Sequence, residues 1–270
     1  MSGGPIGVFD SGLGGLTVLR ALLDLLPEED FTYFGDTGRF PYGPKPAEVV
    51  RSYALQITQV LVDRGARLIV VACNSATAAA LPALQARFGV PIIGVVEPGV
   101  RAAVQATRNR RVGVVGTVGT ISSGAYQDLF ARTDASIMVS AVACPGFVEQ
   151  VEDGDVDSPA VHALAHRLLA PLVAAGVDTL VLGCTHYPLL ARTIGAVMGR
   201  DVVLVSSADE TAFAVRARLG DPTRSHAARG TPATPPVRAF LTSGDPDRFR
   251  ALGGRFLGPE VGVVEAFTWS

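Results

Sequence analysis

The sequence predicts an α/β fold of two pseudo-symmetric domains, each a parallel sheet with helices on both faces, and an active site in the cleft between them. Three observations support this prediction. Short apolar segments alternate with segments of helical periodicity, a strand-like segment ending in a cysteine occurs twice, and 48% of the 270 residues are apolar. This apolar content suits sheets whose strands are buried on both faces.

Eight segments in the first three quarters of the chain have the composition of buried strands. Segments with helical spacing of apolar side chains lie between most of them, as at 16–26 and 49–62. This order is typical of parallel sheets covered by helices. The predicted strands are, in chain order, IGVF, FTYF, LIVVA, PIIGVV, RVGVV, SIMVSAV, TLVLG and DVVLV.

The composition changes near the end of the chain. Residues 220–236 are rich in proline, threonine and arginine and lack apolar periodicity, which predicts a loop or linker. Beyond it, RAFLTS, DPDRFRALGGRFLG and VGVVEAF predict strand, helix and strand, with Asp245 as the N-cap and Pro246 at the first helical position. We expect this tail to complete one of the two sheets.

A repeat indicates two copies of one α/β unit. DRGARLIVVACN (63–74) and AAGVDTLVLGCT (174–185) both place a glycine eight residues before a cysteine, and IGVFDSGLGG and VGVVGTVGT share the order of strand, polar turn and helix. We therefore predict a first domain of residues 1–97 and 211–270 and a second domain of residues 98–210.

Composition also excludes classes of partner. A net charge of −2 without a basic block argues against a nucleic-acid surface. No apolar run is long enough to cross a bilayer, and no basic region precedes the first apolar residues as in a secretory signal. We expect a cytoplasmic protein that binds a small molecule and neither nucleic acid nor membrane. A homodimer is left open.

Neither a metal nor an organic cofactor is expected. The single lysine, Lys45, lies between two prolines in a predicted exposed turn, whereas pyridoxal phosphate enzymes need a lysine in an enclosed position. His162 and His166 have the i, i+4 spacing of a metal pair, but no third ligand is evident. The three cysteines are odd in number and far apart, which predicts free thiols: Cys73, Cys144 and Cys184.

Cys73 and Cys184 are the strongest candidates for catalysis. Each follows a predicted strand, and ligands of parallel sheets collect at the carboxyl ends of strands. A helix N-terminus at that place would lower the pKa of the thiol. A single cysteine there is usually a small buried apolar residue, but the duplication favours chemistry. Two thiols facing one cavity suit stereoinversion at a carbon acid, because one base removes a proton and an acid on the other face returns it.

Other polar residues follow the same strand ends. Asp10 and Ser11 precede a glycine turn that lacks the lysine and the spacing of a phosphate-binding loop, so we expect Asp10 to meet an ammonium group or to assist a thiol. Tyr42 and Gly43 belong to a Pro-Tyr-Gly turn, for which a purely structural role is the alternative. His186, two residues after Cys184, is placed to share protons with it. Glu152, taken alone, has the position of a solvated helix charge.

At these residues the chain resembles the glutamate racemases of the aspartate/glutamate racemase superfamily. The resemblance implies a cofactor-independent racemase of two pseudo-symmetric domains, which binds glutamate in the cleft and supplies D-glutamate for peptidoglycan in a bacterial cytoplasm. The matching blocks are FDSGLGGLTVL, GDTGRFPYGPK, ACNSATAAALP, GVVEPGV, CPGFVEQVEDG and LGCTHYPLL.

The resemblance also implies roles for individual residues. Cys73 would act as acid/base on the D-enantiomer and Cys184 on the L-enantiomer. The residues that would assist proton transfer are Asp10, Glu152 and His186. The residues that would hold the amino acid are Asp10, Ser11, Tyr42, Gly43, Asn74, Ser75, Thr185 and His186.

Two alternatives remain at this stage. An aspartate racemase, or another racemase of the superfamily, fits the same motifs. The candidate site contains no arginine from these motifs to clamp carboxylates, so the residues do not distinguish glutamate from aspartate. A non-catalytic amino-acid sensor whose domains close on a ligand fits the fold, but it leaves the paired thiols unexplained.

Overall fold

The protein forms two parallel β-sheets with helices packed on both faces, as the sequence predicts. The computed structural model describes residues 3–220 and 235–269. The predicted linker at 220–236 therefore lies almost entirely outside the described residues.

The first sheet has the strand order β10-β9-β2-β1-β3-β4, and all its pairings are parallel. Its central strands are buried along their whole length because both faces are covered. Its strands are β1 (Ile6–Asp10), β2 (Phe31–Gly35), β3 (Leu68–Val71), β4 (Ile92–Gly94), β9 (Arg238–Thr242) and β10 (Val264–Ala266).

The second sheet has the order β6-β5-β7-β8 and is also parallel. It repeats the arrangement of the first, because the strand that precedes the cysteine pairs in register with the first strand of the unit in both sheets. Its strands are β5 (Arg111–Gly116), β6 (Met138–Ala143), β7 (Thr179–Gly183) and β8 (Val203–Ser206).

The helices cover the sheets through apolar stripes. In chain order they are α1 (Leu16–Leu25), α2 (Ala47–Asp63), α3 (Asn74–Arg87), α4 (Val96–Ala106), α5 (Val118–Ser122), α6 (Ala125–Thr133), α7 (Phe147–Asp153), α8 (Pro159–Ala174), α9 (Ala191–Met198), α10 (Ser207–Leu219) and α11 (Pro246–Leu257). No helix in the described part of the chain is long and apolar enough to cross a bilayer.

The C-terminal segment returns to the first sheet. Strand β9 pairs with β2, and β10 pairs with β9. Helix α11 begins as predicted, since the Asp245 carboxylate accepts hydrogen bonds from the N–H groups of Asp247 and Arg248 and Pro246 occupies the first turn. The exact domain boundaries stay a prediction. The predicted boundaries at 97/98 and 210/211 fall within helices α4 and α10, and these two helices pack against each other.

Candidate active site

The carboxyl ends of strands from both sheets meet at one cleft, as expected for parallel sheets. Residues that follow β1, β3, β5 and β7 all reach it. We name this feature the central cleft, and its lining is Ser11, Phe40, Pro41, Tyr42, Gly43, Cys73, Asn74, Ser75, Thr117, Val148, Cys184, Thr185 and His186. It brings together every sequence-predicted site residue except Asp10 and Glu152. These two residues are not part of the lining but contact residues that are.

Cys73 ends the loop after β3 and caps helix α3. Its thiol is 5% exposed, its Sγ accepts a hydrogen bond from the N–H of Ala76 at 3.4 Å, and it donates to Ser11 Oγ at 3.8 Å. Burial and the neighbouring Asp10 carboxylate nevertheless raise the pKa of this thiol to about 12. The N–H of Ala76 lowers this pKa, as expected of a helix N-terminus, but desolvation outweighs it, so the expectation of a net lowered pKa is wrong for Cys73.

Cys184 has a different local setting. A turn and a short 3₁₀ helix (Tyr187–Leu190) follow it, and α9 begins only at residue 191, so no α-helix N-terminus points at this thiol. Its partner is His186, whose Nδ1 lies 3.9 Å from Cys184 Sγ. The two cysteines thus occupy equivalent places in the two sheets but have unlike neighbours.

His186 joins Cys184 to Glu152. Its Nε2 lies 2.7 Å from Glu152 Oε1, and its ring is 2% exposed. Burial lowers the pKa of His186, but the hydrogen bonds to Cys184 and Glu152 outweigh this effect and raise it to about 10. Glu152, on α7, is thus a partner of the histidine and not a solvated helix charge.

Asp10 is fully buried at the end of β1. Its carboxylate accepts hydrogen bonds from the N–H of Gly12 at 3.0 Å and from the hydroxyl of Thr185 at 3.4 Å. Burial raises the pKa of Asp10, and the His186 charge opposes that rise. The adjacent turn needs a glycine, since a Cβ on Gly14 would lie 2.3 Å from Thr185 Oγ1 and 2.5 Å from His186 Nδ1.

Tyr42 and Gly43 line the cleft in different ways. The Tyr42 side chain is 1% exposed and its hydroxyl donates to Asp36, which also accepts from Arg39 Nε at 2.7 Å. The Gly43 carbonyl accepts from the N–H of Gly119 at 2.9 Å and so connects the two halves. The turn therefore forms a wall of the cleft whose tyrosine is fixed by Asp36.

Several residues that hold the lining in place were not predicted from the sequence. Ser75 Oγ lies 2.9 Å from Thr117 Oγ1 and 3.2 Å from Thr120 Oγ1, and Tyr126 donates to Asn74 Oδ1 at 2.7 Å. These partners come from α5, α6 and the loop before them. The repeat of IGVFDSGLGG as VGVVGTVGT could have identified Thr117 and Thr120, because it places them at the equivalent strand end.

The central cleft contains several polar side chains but has little formal positive charge. His186 is the basic side chain in its described lining, and the other polar groups there are hydroxyls, an amide, the two thiols and backbone groups. Anions would be met by N–H groups, including those that open α3, and by hydroxyls. In the described residues no cluster of three or more His, Cys, Asp or Glu side chains has the arrangement of a metal site.

The fold and this cleft define a class: two-domain α/β proteins in which each sheet presents one cysteine to a shared site. Residues 15–215 match the sequence profile of the Asp/Glu/Hydantoin racemase family. The chain belongs to this family, and within it to the glutamate racemases.

Three relatives illustrate the similarity. The chain is 55% identical to the glutamate racemase of Beutenbergia cavernae over 272 residues, covering 98% of this chain and 93% of the relative. The crystal structure of a Bacillus anthracis glutamate racemase isoform superimposes with a TM-score of 0.88 at 37% identity, covering 100% and 98% of the two chains. The Francisella tularensis glutamate racemase, solved in complex with D-glutamate, gives 0.89 at 32% identity, covering 98% and 97%.

Proposed function

We propose that this protein is a cofactor-independent racemase that interconverts L-glutamate and D-glutamate and supplies D-glutamate for peptidoglycan synthesis. The observation that carries the proposal is the placement of Cys73 and Cys184, from different sheets, in the lining of one cleft. Family membership gives the amino-acid class of the substrate. The cytoplasm is the proposed location, and a homodimer stays open.

The proposed reaction is a proton exchange at Cα. One cysteine, as thiolate, removes the α-hydrogen as a proton and becomes a thiol, and the electron pair stays on Cα and its carboxylate. The opposite cysteine, as thiol, gives a proton to the other face and becomes a thiolate. We assign Cys73 to the D-enantiomer and Cys184 to the L-enantiomer.

The environment of each thiol suggests how it is supported. For Cys73, an ammonium group bound near Asp10 would offset the burial and the negative charge that raise the pKa of the thiol. For Cys184, a protonated His186 lies within reach of the sulfur and is itself held by Glu152. Asp10, Glu152 and His186 are therefore the proposed assistants of proton transfer.

The proposed binding groups are those that the cleft offers to a small zwitterion. The start of α3 presents N–H groups to a carboxylate. Further hydrogen-bonding groups come from Ser11, Asn74, Ser75, Thr185 and the backbone at Gly43. Tyr42 contributes through its backbone, because its hydroxyl is engaged by Asp36.

A chiral assay tests the function directly. Purified protein in buffer free of metal and pyridoxal phosphate should convert L-glutamate and D-glutamate into each other, and in deuterated water the product should carry deuterium at Cα. L- and D-aspartate tested at the same concentration should react far more slowly. Faster reaction with aspartate would favour the alternative substrate, and no exchange with either amino acid would favour a sensor.

Single cysteine variants test the proposed mechanism. Cys73→Ser should lose α-hydrogen exchange from D-glutamate more strongly than from L-glutamate, and Cys184→Ser should show the opposite bias. Cys144→Ser is the control, because Cys144 is a buried free thiol that is absent from the lining of the central cleft. Equal and mild losses in both active-site variants would show that the thiols are structural.

A further inference from the structure

The amide of Asn74 is held at one end and left unpaired at the other. Its Oδ1 accepts a hydrogen bond from the Tyr126 hydroxyl at 2.7 Å. Its Nδ2 is buried and has no hydrogen-bond partner among the described residues. Asn74 itself is 3% exposed and belongs to the lining of the central cleft. A buried donor without a partner is costly, so this group is suited to a ligand that accepts a hydrogen bond.

Tyr126 reaches Asn74 from the other half of the molecule. It lies on α6, is fully buried, and packs in the apolar cluster beneath the second sheet together with Phe130. A phenol that is packed on all sides has one hydrogen to give, and it gives that hydrogen to Asn74 Oδ1. The amide orientation is therefore fixed by a residue that does not line the cleft.

We propose that Tyr126 is a positioning residue for substrate binding, whose hydroxyl orients the Asn74 amide so that Nδ2 donates to a carboxylate of the bound amino acid. The inference rests on the proposed function. In a glutamate zwitterion the carboxylate oxygens are the acceptors, because the ammonium group only donates. The opposite orientation would leave the Tyr126 hydrogen buried without a partner, whereas this one satisfies both donors once substrate is bound.

The first test removes only the hydroxyl. Tyr126→Phe should raise KM for both enantiomers about tenfold and change kcat less than about twofold, because a lost orienting hydrogen bond weakens binding. The matched control is Phe130→Leu, which disturbs the same apolar cluster without touching Asn74. It should lower the denaturation midpoint and leave KM unchanged. An unchanged KM in Tyr126→Phe, or equal rises in both variants, would overturn the proposal.

The second test asks which end of the amide meets the substrate. Asn74→Asp keeps an acceptor for the Tyr126 hydroxyl but replaces the Nδ2 donor by a negatively charged oxygen. KM for glutamate should rise about a hundredfold or more, since a carboxylate would then face a carboxylate. An unchanged or lower KM would mean that Asn74 meets the ammonium group, and this would overturn the proposal.

A double variant separates coupling from independent effects. If Tyr126 acts through Asn74, then Tyr126→Phe should have little further effect on KM in an Asn74→Ala background. Additive losses would contradict the proposed route. A failure of the proposed function is distinguishable, because it would appear as absence of racemisation in the wild-type protein, whereas failure of this inference would appear as variants that match an active wild type.

Discussion

At the scale of single residues, the site is a small set of buried titratable groups with shifted pKa values. Burial raises the pKa of Asp10 and Cys73, while hydrogen bonds raise that of His186. Groups of this kind destabilise a fold or make its stability depend on pH, and they are concentrated at functional sites.

Asp10→Asn should stabilise the protein while disabling it. The raised pKa means that the charged carboxylate is disfavoured in the folded state, so its removal should increase the free energy of unfolding at pH 7 by about 1 kcal/mol. An asparagine can still accept from Gly12 N–H and can donate to Thr185. Denaturant unfolding measures the gain, and kcat/KM should fall at least about a hundredfold. A less stable variant would show that attraction to His186 outweighs burial.

His186 should make stability fall in alkaline solution. Its pKa rises from 6.5 to about 10 on folding, so its stabilising contribution is complete below pH 6.5 and is lost as the pH rises toward 10. The thermal unfolding midpoint of the wild-type protein should therefore drop more steeply across this window than that of His186→Gln. Parallel curves for the two proteins would contradict a protonated histidine in the folded state.

At the scale of secondary-structure elements, equivalent strands deliver the two cysteines into unequal surroundings. In the first sheet the chain continues from the cysteine directly into α3, and a backbone N–H donates a hydrogen bond to the sulfur. In the second sheet the chain continues into a proline-containing 3₁₀ helix, and a histidine side chain, not a backbone N–H group, contacts the sulfur. Such an asymmetry suits a site in which the two thiols act on substrates of opposite handedness.

The connection between the halves depends on a close approach of two backbones. A Cβ on Gly119 would lie 2.8 Å from the Gly43 carbonyl oxygen, which accepts a hydrogen bond from Gly119 itself. Gly119→Ala should therefore displace the Pro-Tyr-Gly wall from α5 and lower kcat/KM about tenfold or more, with a loss of stability of about 1–3 kcal/mol.

Gly195→Ala is a matched control for that change. It lies in α9 of the same half, and its Cβ would meet Leu204 at an ordinary 3.7 Å. Because alanine is the better helix former, stability should rise by about 0.5–1 kcal/mol with unchanged activity. Equal effects of both substitutions on kcat/KM would show that the contact between Gly43 and Gly119 is unimportant.

At the scale of the whole molecule, residues near the C-terminus stabilise a part of the site that is formed by residues near the N-terminus. The Arg39 guanidinium lies over the rings of both Tyr53 and Trp269, at 4.0 Å and 3.6 Å from their centroids. Arg39 pairs with Asp36, which fixes Tyr42 and accepts from Ser243 Oγ at 2.5 Å. The C-terminal tail thus closes a contact network that reaches the wall of the central cleft.

Trp269→Ala should weaken this support. Loss of the ring from Arg39 and from its packing on Phe34 should lower the free energy of unfolding by about 2 kcal/mol and reduce kcat/KM. Val263→Ala, in the same tail but 87% exposed, should change stability by less than about 0.5 kcal/mol. Equilibrium denaturation of the three proteins compares them, and equal stabilities would show that the tail adds no support.

Much of the fold and many of the site residues were predictable from the sequence. Strand and helix periodicity and the repeated cysteine segment predicted both parallel sheets, and the residues after β1, β3 and β7 were identified as cleft residues. These are local signals, because a residue at a strand end occupies a known edge of any parallel sheet. The family resemblance added Glu152, whose own sequence position indicated only an exposed helix.

Other features were decided by tertiary structure alone. The pKa of Cys73 is raised where a lowered value was predicted. The sequence indicates the helix N–H groups near Cys73, whereas its depth of burial and its distance to Asp10 arise from the packing of both halves. For the same reason the sequence did not indicate Tyr126 on Asn74 or Trp269 on Arg39, which are pairs separated widely along the chain. Periodicity fixes the order and type of elements, but desolvation, charge proximity and hydrogen-bond partners exist only once distant segments are brought together.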